Sequence, residues 1–308
     1  MSETLILHHY EASPYAEKIR LMLGWRGLRW QSVLSPPQPP RPNVDPLSGG
    51  YRRIPIGQIG ADVFCDTFVI AQEVARLADA PELDPERATG DAAALMERAE
   101  GDVFFAAIAS ISPLTLLGTL VRTVGPVGLV RFARDRAQMM RSANVKPPQG
   151  GSARSIMKAY LDDLEGHLAD RDFLTGAAPT IADFAAFHPL WLHVASRRRP
   201  LDAGQPRVAR WYERMEALGH GMREEVDAER AFDAARAAKP RPLPAATGEA
   251  DTRVGRRVSI APTDYGTVPV TGTLVAATPS RVIVARETER FGTVHVHFPQ
   301  RGFSLETA

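Results

Sequence analysis

Leu5-Ile6-Leu7-His8-His9-Tyr10-Glu11-Ala12-Ser13-Pro14-Tyr15-Ala16 is the stretch on which the fold turns. An apolar strand, Leu5 to His9, runs into a short turn and then into a helix whose apolar residues include Ile19, Met22 and Leu23. Ser13 stands where a helix cap belongs, and Pro14 suits the first helical position, where its missing N–H costs nothing. Further along, Ile54-Pro55-Ile56 puts a proline inside an apolar run. A trans proline would spoil a central strand, so a cis proline at a strand end is expected. Asp66-Thr67 then places a carboxylate and a hydroxyl at the start of another helix, Phe68 to Leu77. From Thr4 to about Leu77 strands and helices alternate, which predicts an α/β unit.

Ser13-Pro14-Tyr15-Ala16, Ile54-Pro55 and Asp66-Thr67, in this order and spacing, resemble the glutathione transferase superfamily. The resemblance covers residues 4–78 and returns at Phe173-Leu174-Thr175-Gly176 and Thr180-Ile181-Ala182-Asp183, similar to a turn and helix start buried in those proteins. It implies an α/β thioredoxin-like domain followed by an all-α helical domain. Residues 110–150 and 240–308 lie outside the usual pattern, and the family's implications stop at their edges.

The chemistry attached to the resemblance is activation of a thiol. A thiol attacks as the thiolate, so a site must lower its pKa, and a helix N-terminus does so with unpaired N–H groups and the positive end of its dipole. The Ser13 hydroxyl adds a hydrogen bond to the sulfur; read without its neighbours, Ser13 is simply a cap. The family carries Ser or Cys here, or a Tyr near the end of the first strand, which makes Tyr10 the alternative donor. Serine in place of cysteine removes the nucleophile for a mixed disulfide and disfavours dithiol reductase chemistry. Ile54, ahead of the expected cis-Pro55, offers its backbone N–H and C=O to the cysteinyl part of glutathione, as an added strand would. Asp66 and Thr67 match the pair that holds the γ-glutamyl end, the carboxylate meeting the ammonium while the hydroxyl and helix N–H groups meet the carboxylate. An Asp helix cap alone would look identical. Arg53, in preference to Arg52, supplies a cation for the glycine carboxylate.

Composition narrows the class. The chain has 308 residues, long enough for two or three domains, with 44% hydrophobic and 24% charged residues. Thirty-seven Lys and Arg against 36 Asp and Glu leave a charge of +1, so no global electrostatic case for nucleic acid exists. One cysteine, Cys65, excludes an intrachain disulfide and a cysteine-rich zinc site. It lies in the apolar strand Val63-Phe64-Cys65 and reads as a small buried residue. Ile111 to Phe132, the most apolar tract, is interrupted by Pro113, Arg122, Gly125-Pro126 and Arg131 and makes a poor membrane span. Met1-Ser2-Glu3-Thr4 is acidic and does not read as a signal peptide, so a cytoplasmic protein is expected.

The expected organisation is residues 1–80 as the thioredoxin-like glutathione-binding domain and 81–238 as the helical substrate domain with an insertion at 110–150. A proline-rich linker at 239–251 leads to a small β-barrel domain at 252–308. Helical patterns run over Asp91–Ile108, Val127–Ser142, Ala153–Ala169, Ile181–Ala195, Pro206–Ala217 and Arg223–Ala238. Ser35-Pro36-Pro37-Gln38-Pro39-Pro40-Arg41-Pro42 is too proline-rich for a helix interior and is expected to be largely extended. After Ala238, β-branched residues alternate in four or five short runs with turns at Asp264-Tyr265-Gly266, Thr278-Pro279-Ser280 and Arg290-Phe291-Gly292. This pattern predicts a Src-homology-3-like appendix, small enough to pack on the helical domain or a partner.

Other candidates have blander readings. His8-His9 and His295-x-His297 have no visible third ligand and read as strand histidines. Thr180-x-x-Asp183 is a capping box. Arg197-Arg198-Arg199 ends a helix, where cations complement the dipole. For the second substrate the resemblance points to Phe104, Phe105 and Ile108, with Ile111 and Trp191 behind them, and the long 110–150 segment is expected to roof the pocket. The leading expectation is a glutathione transferase acting in detoxification on an unidentified apolar small-molecule electrophile, the 110–150 roof selecting a sizeable one. Glutathione is its co-substrate, no metal is involved, a homodimer is implied by the family, and neither nucleic acid nor membrane is a partner. The alternative is a non-catalytic binding or scaffold protein that uses the terminal β domain for partner contacts.

Overall fold

A computed structural model describes residues 3–111, 113–141, 143–197, 201, 204–244 and 251–308. The expected helix end at Ser142, and Arg198-Arg199 of the arginine run, lie outside the described residues, as do residues 245–250 of the linker.

The amino-terminal unit follows the order β1 (Leu5–His9), α1 (Pro14–Trp25), β2 (Arg29–Leu34), α2 (Asp45–Ser48), β3 (Ile56–Ile59), β4 (Asp62–Cys65) and α3 (Thr67–Ala78). β1 runs parallel to β2 and antiparallel to β3, which pairs antiparallel with β4. Alternation along β1 divides its side chains between two faces. Leu5 and Leu7 join a core with Ile19, Met22, Leu23, Val69 and Ile70 from α1 and α3, while Ile6 packs on the other side with Val33 and Ala231. The proline-rich stretch before α2 is irregular as expected, and its Arg41 donates to the backbone carbonyls of Tyr51 and Arg52.

The helical domain comprises α4 (Gly90–Glu100), α5 (Asp102–Ala109), α6 (Pro113–Arg141), α7 (Gly151–His167), α8 (Ile181–Arg197) and α9 (Pro206–Glu216). Leu95, Ala99, Val103, Tyr160, Phe184, Phe187 and Trp211 continue the core of the first unit, so α1 is buried between sheet and helices. The expected helix over 91–108 is two helices. Gly101 leaves helical geometry at φ −97°, ψ −115°, and a Cβ there would sit 2.9 Å from the Glu97 carbonyl. α6 starts earlier than the pattern predicted and breaks at Gly125, whose φ is +69°. Among the described residues no helix is long and apolar enough to cross a membrane.

The helix expected over 223–238 begins later. Residues Met222–Glu225 instead form β5, parallel to β2. Asp227 then caps α10 (Ala228–Ala237) by accepting Arg230 N–H at 2.9 Å. The strand is charged after Met222 and held by backbone pairing, which periodicity cannot register.

The terminal segment is all-β: β6 (Arg257–Pro262), β7 (Val270–Ala277), β8 (Arg281–Thr288), β9 (Gly292–Pro299) and β10 (Phe303–Thr307). β6 to β9 form an antiparallel meander, and β10 returns to pair with β6, as a small barrel-like unit requires. The unit joins the first sheet edge to edge, and only its β6–β7 turn reaches the helical domain. β9 pairs parallel with β4 through Asp62 to His295, Val63 to Val296 and Phe64 to His297, giving a sheet in the order β10-β6-β7-β8-β9-β4-β3-β1-β2-β5. An unpaired edge at β4 would expose a row of N–H and C=O groups, and β9 covers it. Val63, Cys65, Ile56 and Tyr51 share one core with Val258, Leu274, Val284, Val296 and Phe298.

Candidate functional site

The cis peptide expected from Ile54-Pro55-Ile56 is present at Ile54–Pro55, just before β3. Ile54 makes no backbone hydrogen bond among the described residues, which leaves its N–H and C=O available. On the same wall, Asp66 caps α3 with φ +99°, accepting Phe68 N–H at Oδ1 (3.0 Å). Its other oxygen accepts Tyr51 Oη at 3.4 Å. Thr67 follows as the first residue of α3.

These residues border a cavity of about 120 Å³, completed by Tyr15 from α1, Tyr51, Arg53, Glu100 from the end of α4, and Asp264 and Tyr265 from the turn between β6 and β7. Four of the expected glutathione-binding positions, Ile54, Pro55, Asp66 and Thr67, thus share one cleft with the fifth, Arg53. Burial pushes the Asp66 carboxyl up, against the opposing pull of the Arg53 guanidinium and the Phe68 N–H. Glu100 accepts from the buried Lys18 at 2.5 Å.

Ser13 is placed differently. It caps α1, its Oγ accepting Ala16 N–H at 3.2 Å, and at 1% exposure it does not line the cavity. Because the oxygen accepts that bond, the hydroxyl proton remains free to donate. Tyr10 lies outside the cavity wall too, and its carbonyl accepts Ser13 N–H at 3.1 Å. The tyrosine that reaches the cavity is Tyr15, packed against Phe104 at 4.7 Å and His188 at 4.5 Å between ring centres. Burial keeps its phenol protonated, and the hydroxyl donates to Tyr265.

Arg53 is held at the cleft floor. Its Nη2 donates to Asp264 Oδ1 and to the Tyr265 carbonyl (2.7 Å), and Nη1 lies 3.7 Å from Asp66 Oδ2. Burial works against its charge, but Tyr51, Tyr265, Asp264 and Asp66 outweigh it and hold the guanidinium firmly protonated. Arg52 turns away to pair with Asp135 of α6.

Of the positions assigned to a second substrate, Phe104 and Phe105 pack together beside Tyr15, and Phe105 meets the Tyr265 ring edge-on at 5.6 Å. Ile108 is 41% exposed and does not line the cavity. The 110–150 segment contributes no cavity wall among its described residues. It acts through the β6–β7 turn, with Asn144 N–H donating to the Asp264 carbonyl and Asn144 Nδ2 to the Thr263 carbonyl, both at 2.7 Å.

Tyr15, Tyr51, Glu100, Asp264 and Tyr265 were not singled out by sequence reasoning. Tyr15 sat inside a recognised motif and had a usable signal. Asp264-Tyr265-Gly266 looks like any solvated hairpin turn, and only tertiary contact reveals it. The remaining candidates are structural. Cys65 is buried, with burial raising its thiol. His8 pairs with Gln58, His9 with Ser32 and Arg20, and His297 with Asp62. Among the described residues no group of three or more metal-type ligands converges.

Comparisons with known proteins agree with this architecture. Residues 7–82 match the family model of the glutathione S-transferase N-terminal domain, and residues 114–214 that of the C-terminal domain. A GST-like protein of known crystal structure from Pseudomonas syringae is 32% identical, with 100% of both chains covered and a TM-score of 0.77. That likeness therefore runs through the terminal β strands as well. A delta-class glutathione transferase from Nilaparvata lugens is more distant, at 16% identity over 70% of this chain and 90% of that one, TM-score 0.47. No curated protein matches the sequence. The chain belongs to the glutathione transferase superfamily.

Proposed function

We propose that this protein is a glutathione-dependent transferase that presents the bound thiolate to a small apolar electrophile. One observation carries the reading: the free backbone of Ile54, the adjoining cis-Pro55 and the Asp66-Thr67 helix start converge on a single cleft at the N-terminal end of α1. Strand-like pairing to Ile54 would hold the cysteinyl unit. Asp66 would take the γ-glutamyl ammonium, and Thr67 with the α3 N–H groups its carboxylate. The sulfur would then lie toward α1, whose dipole and Ser13 hydroxyl lower its pKa. Tyr15, protonated at neutral pH, is a second donor on the cavity side once its proton turns from Tyr265 to the sulfur, and not a base. The thiol proton leaves to solvent and the thiolate's electron pair forms a bond to the electrophile's carbon, in the space beside Phe104 and Phe105. As it forms, that carbon's bond to its leaving group breaks and the leaving group departs with the bonding pair, or one bond of a polarised double bond breaks and its far atom takes a proton from solvent.

Calorimetry with glutathione, combined with the thiolate ultraviolet absorbance of the complex, tests this. Ser13→Ala should raise the pKa of the bound thiol with little change in affinity, and Asp66→Ala should weaken binding itself. Absence of glutathione binding by the unaltered protein would leave the scaffold reading in its place. The homodimer implied by the family, and the absence of nucleic-acid and membrane partners, belong to the same proposal; sedimentation addresses the first directly.

A further inference from the structure

The 110–150 segment, expected to lie outside the family pattern but matched from residue 114 by the C-terminal domain model, meets the terminal β domain beside the cleft. The β6–β7 turn enters it from the terminal domain, and Asn144, beyond α6, grips that turn by two hydrogen bonds to Thr263 and Asp264. Gly266 at φ +61° lets the turn close, with Met139 of α6 and Arg52 3.5 Å from where a Cβ would lie. What the turn delivers is a carboxylate, Asp264, onto Arg53. Arg53 already has Asp66 at 3.7 Å, so its single positive charge faces two carboxylates. The remaining cavity, about 120 Å³, is well under the roughly 300–1,000 Å³ that small-molecule sites usually enclose.

We propose that Asp264 is a specificity-determining residue that occupies the place of a ligand's terminal carboxylate, so that a carboxylate-terminated thiol peptide binds fully only when the β6–β7 turn withdraws. This rests on the glutathione-binding reading above. The asymmetry of the pair supports it. The Asp264 side chain is 40% exposed and has water to turn to, whereas that of Arg53 is 17% exposed and does not. A third carboxylate arriving at Arg53 with Asp264 in place would meet net negative charge, because burying an unmatched charge is costly. With Asp264 displaced, a ligand carboxylate simply exchanges for it. The turn therefore grades ligands by their carboxyl terminus: free acids compete with Asp264, while esters or amides need not.

Titration calorimetry with glutathione and with its glycyl ethyl ester tests the assignment on the full chain. The unaltered protein should bind the two within about threefold of each other. Asp264→Asn should tighten glutathione about tenfold, the scale of one charge-assisted hydrogen bond, and change the ester less than twofold. Asn144→Ala, which touches neither Arg53 nor the cavity, should move glutathione the same way by a smaller factor and covers the case in which the first variant does not fold. A tenfold preference for the free acid in the unaltered protein overturns the proposal, as does unchanged or weaker glutathione binding in both variants. Binding of glutathione by none of the three proteins overturns the functional reading itself.

Discussion

The Arg53 guanidinium lies over the ring of Tyr265, its carbon 4.1 Å from the ring centre. It joins the floor of the cleft in the first sheet to a turn 212 residues away in the chain. The contact is electrostatic and lies beside an edge-on meeting of Tyr265 with Phe105. A cation over an aromatic face contributes roughly 0.5–2 kcal/mol and an aromatic pair about 0.5–1.5 kcal/mol. Tyr265→Phe keeps both and loses only the acceptor for Tyr15. Tyr265→Ala should therefore destabilise the protein by about 1–3 kcal/mol in urea unfolding, and Tyr265→Phe by clearly less. Equal losses would mean that the hydroxyl, not the ring, holds the turn.

Phe298 is buried in β9, with Tyr51 at 5.8 Å and Phe303 at 5.7 Å between ring centres. It thus packs on the first unit and on its own. Phe298→Ala should cost about 3–5 kcal/mol, as truncations of buried aromatic side chains do. The informative part is where the loss is felt. Because β9 pairs with β4 and the core is shared, amides of β3 and β4 should lose hydrogen-exchange protection together with those of β6 to β10. Protection lost from β6 to β10 alone would show that the terminal unit opens independently.

Much of this fold was legible because its signals are local. A cap followed by proline, a proline at a strand end and an acidic helix start each specify backbone geometry within a few residues, and Ser13-Pro14, Ile54-Pro55 and Asp66-Thr67 hold those geometries. The terminal strands were legible through β-branched alternation. What escaped depends on distance or on groups without a pattern. Met222–Glu225 has no apolar alternation, since it is an edge strand fixed by main-chain bonds to β2. The docking of β9 on β4 is chosen by an open edge that no single segment displays. Glu100 enters the cavity wall because Lys18, on another domain's helix, needs an anion. Asp264 and Tyr265 acquire their roles only where the terminal domain and the segment after α6 come together beside Arg53.

Asp183 shows how a capping box becomes a tertiary hub. The Thr180-x-x-Asp183 pattern was assigned to folding, and the carboxylate indeed accepts Thr180 N–H at 2.9 Å. It also accepts Leu174 N–H at 2.8 Å and Trp211 Nε1–H at 2.9 Å, binding the turn before α8 to α9. Asp183→Ala leaves three buried donors unmatched, each costing about 1–3 kcal/mol. The expected result is loss of at least 3 kcal/mol or failure to fold, with Asp183→Asn intermediate because it retains acceptor capacity. Denaturant unfolding monitored by Trp211 fluorescence checks the order.

Acid should unfold this protein earlier than its carboxylates alone would dictate. Burial lowers His8 to about 4, and lowers His9 to about 3 with help from the Arg20 charge. Arg20 donates to Nδ1 of His9, so that nitrogen must stay unprotonated for the bond to exist. Burial likewise lowers His297 to about 4 despite its 2.8 Å bond to Asp62. In the unfolded chain these rings titrate near 6.5. A depressed folded value means the unfolded state takes up protons first, so stability present above pH ~6.5 is lost as pH falls toward 4, at up to about 1.4 kcal/mol per pH unit per ring. His188, which burial lowers well below its ordinary value, adds a fourth ring, and the four together give a slope of about 5–6 kcal/mol per unit near pH 5. Asp62, lowered below its ordinary value by His297 and Arg241 against the opposing effect of burial, adds its loss only at still lower pH. His297→Gln, which can still donate to Asp62, should remove about one quarter of the slope between pH 6.5 and 4.5 while leaving stability above pH 7 less affected. Urea midpoints measured across that range would decide it: an unchanged slope in the variant would place the acid sensitivity elsewhere than in these buried rings.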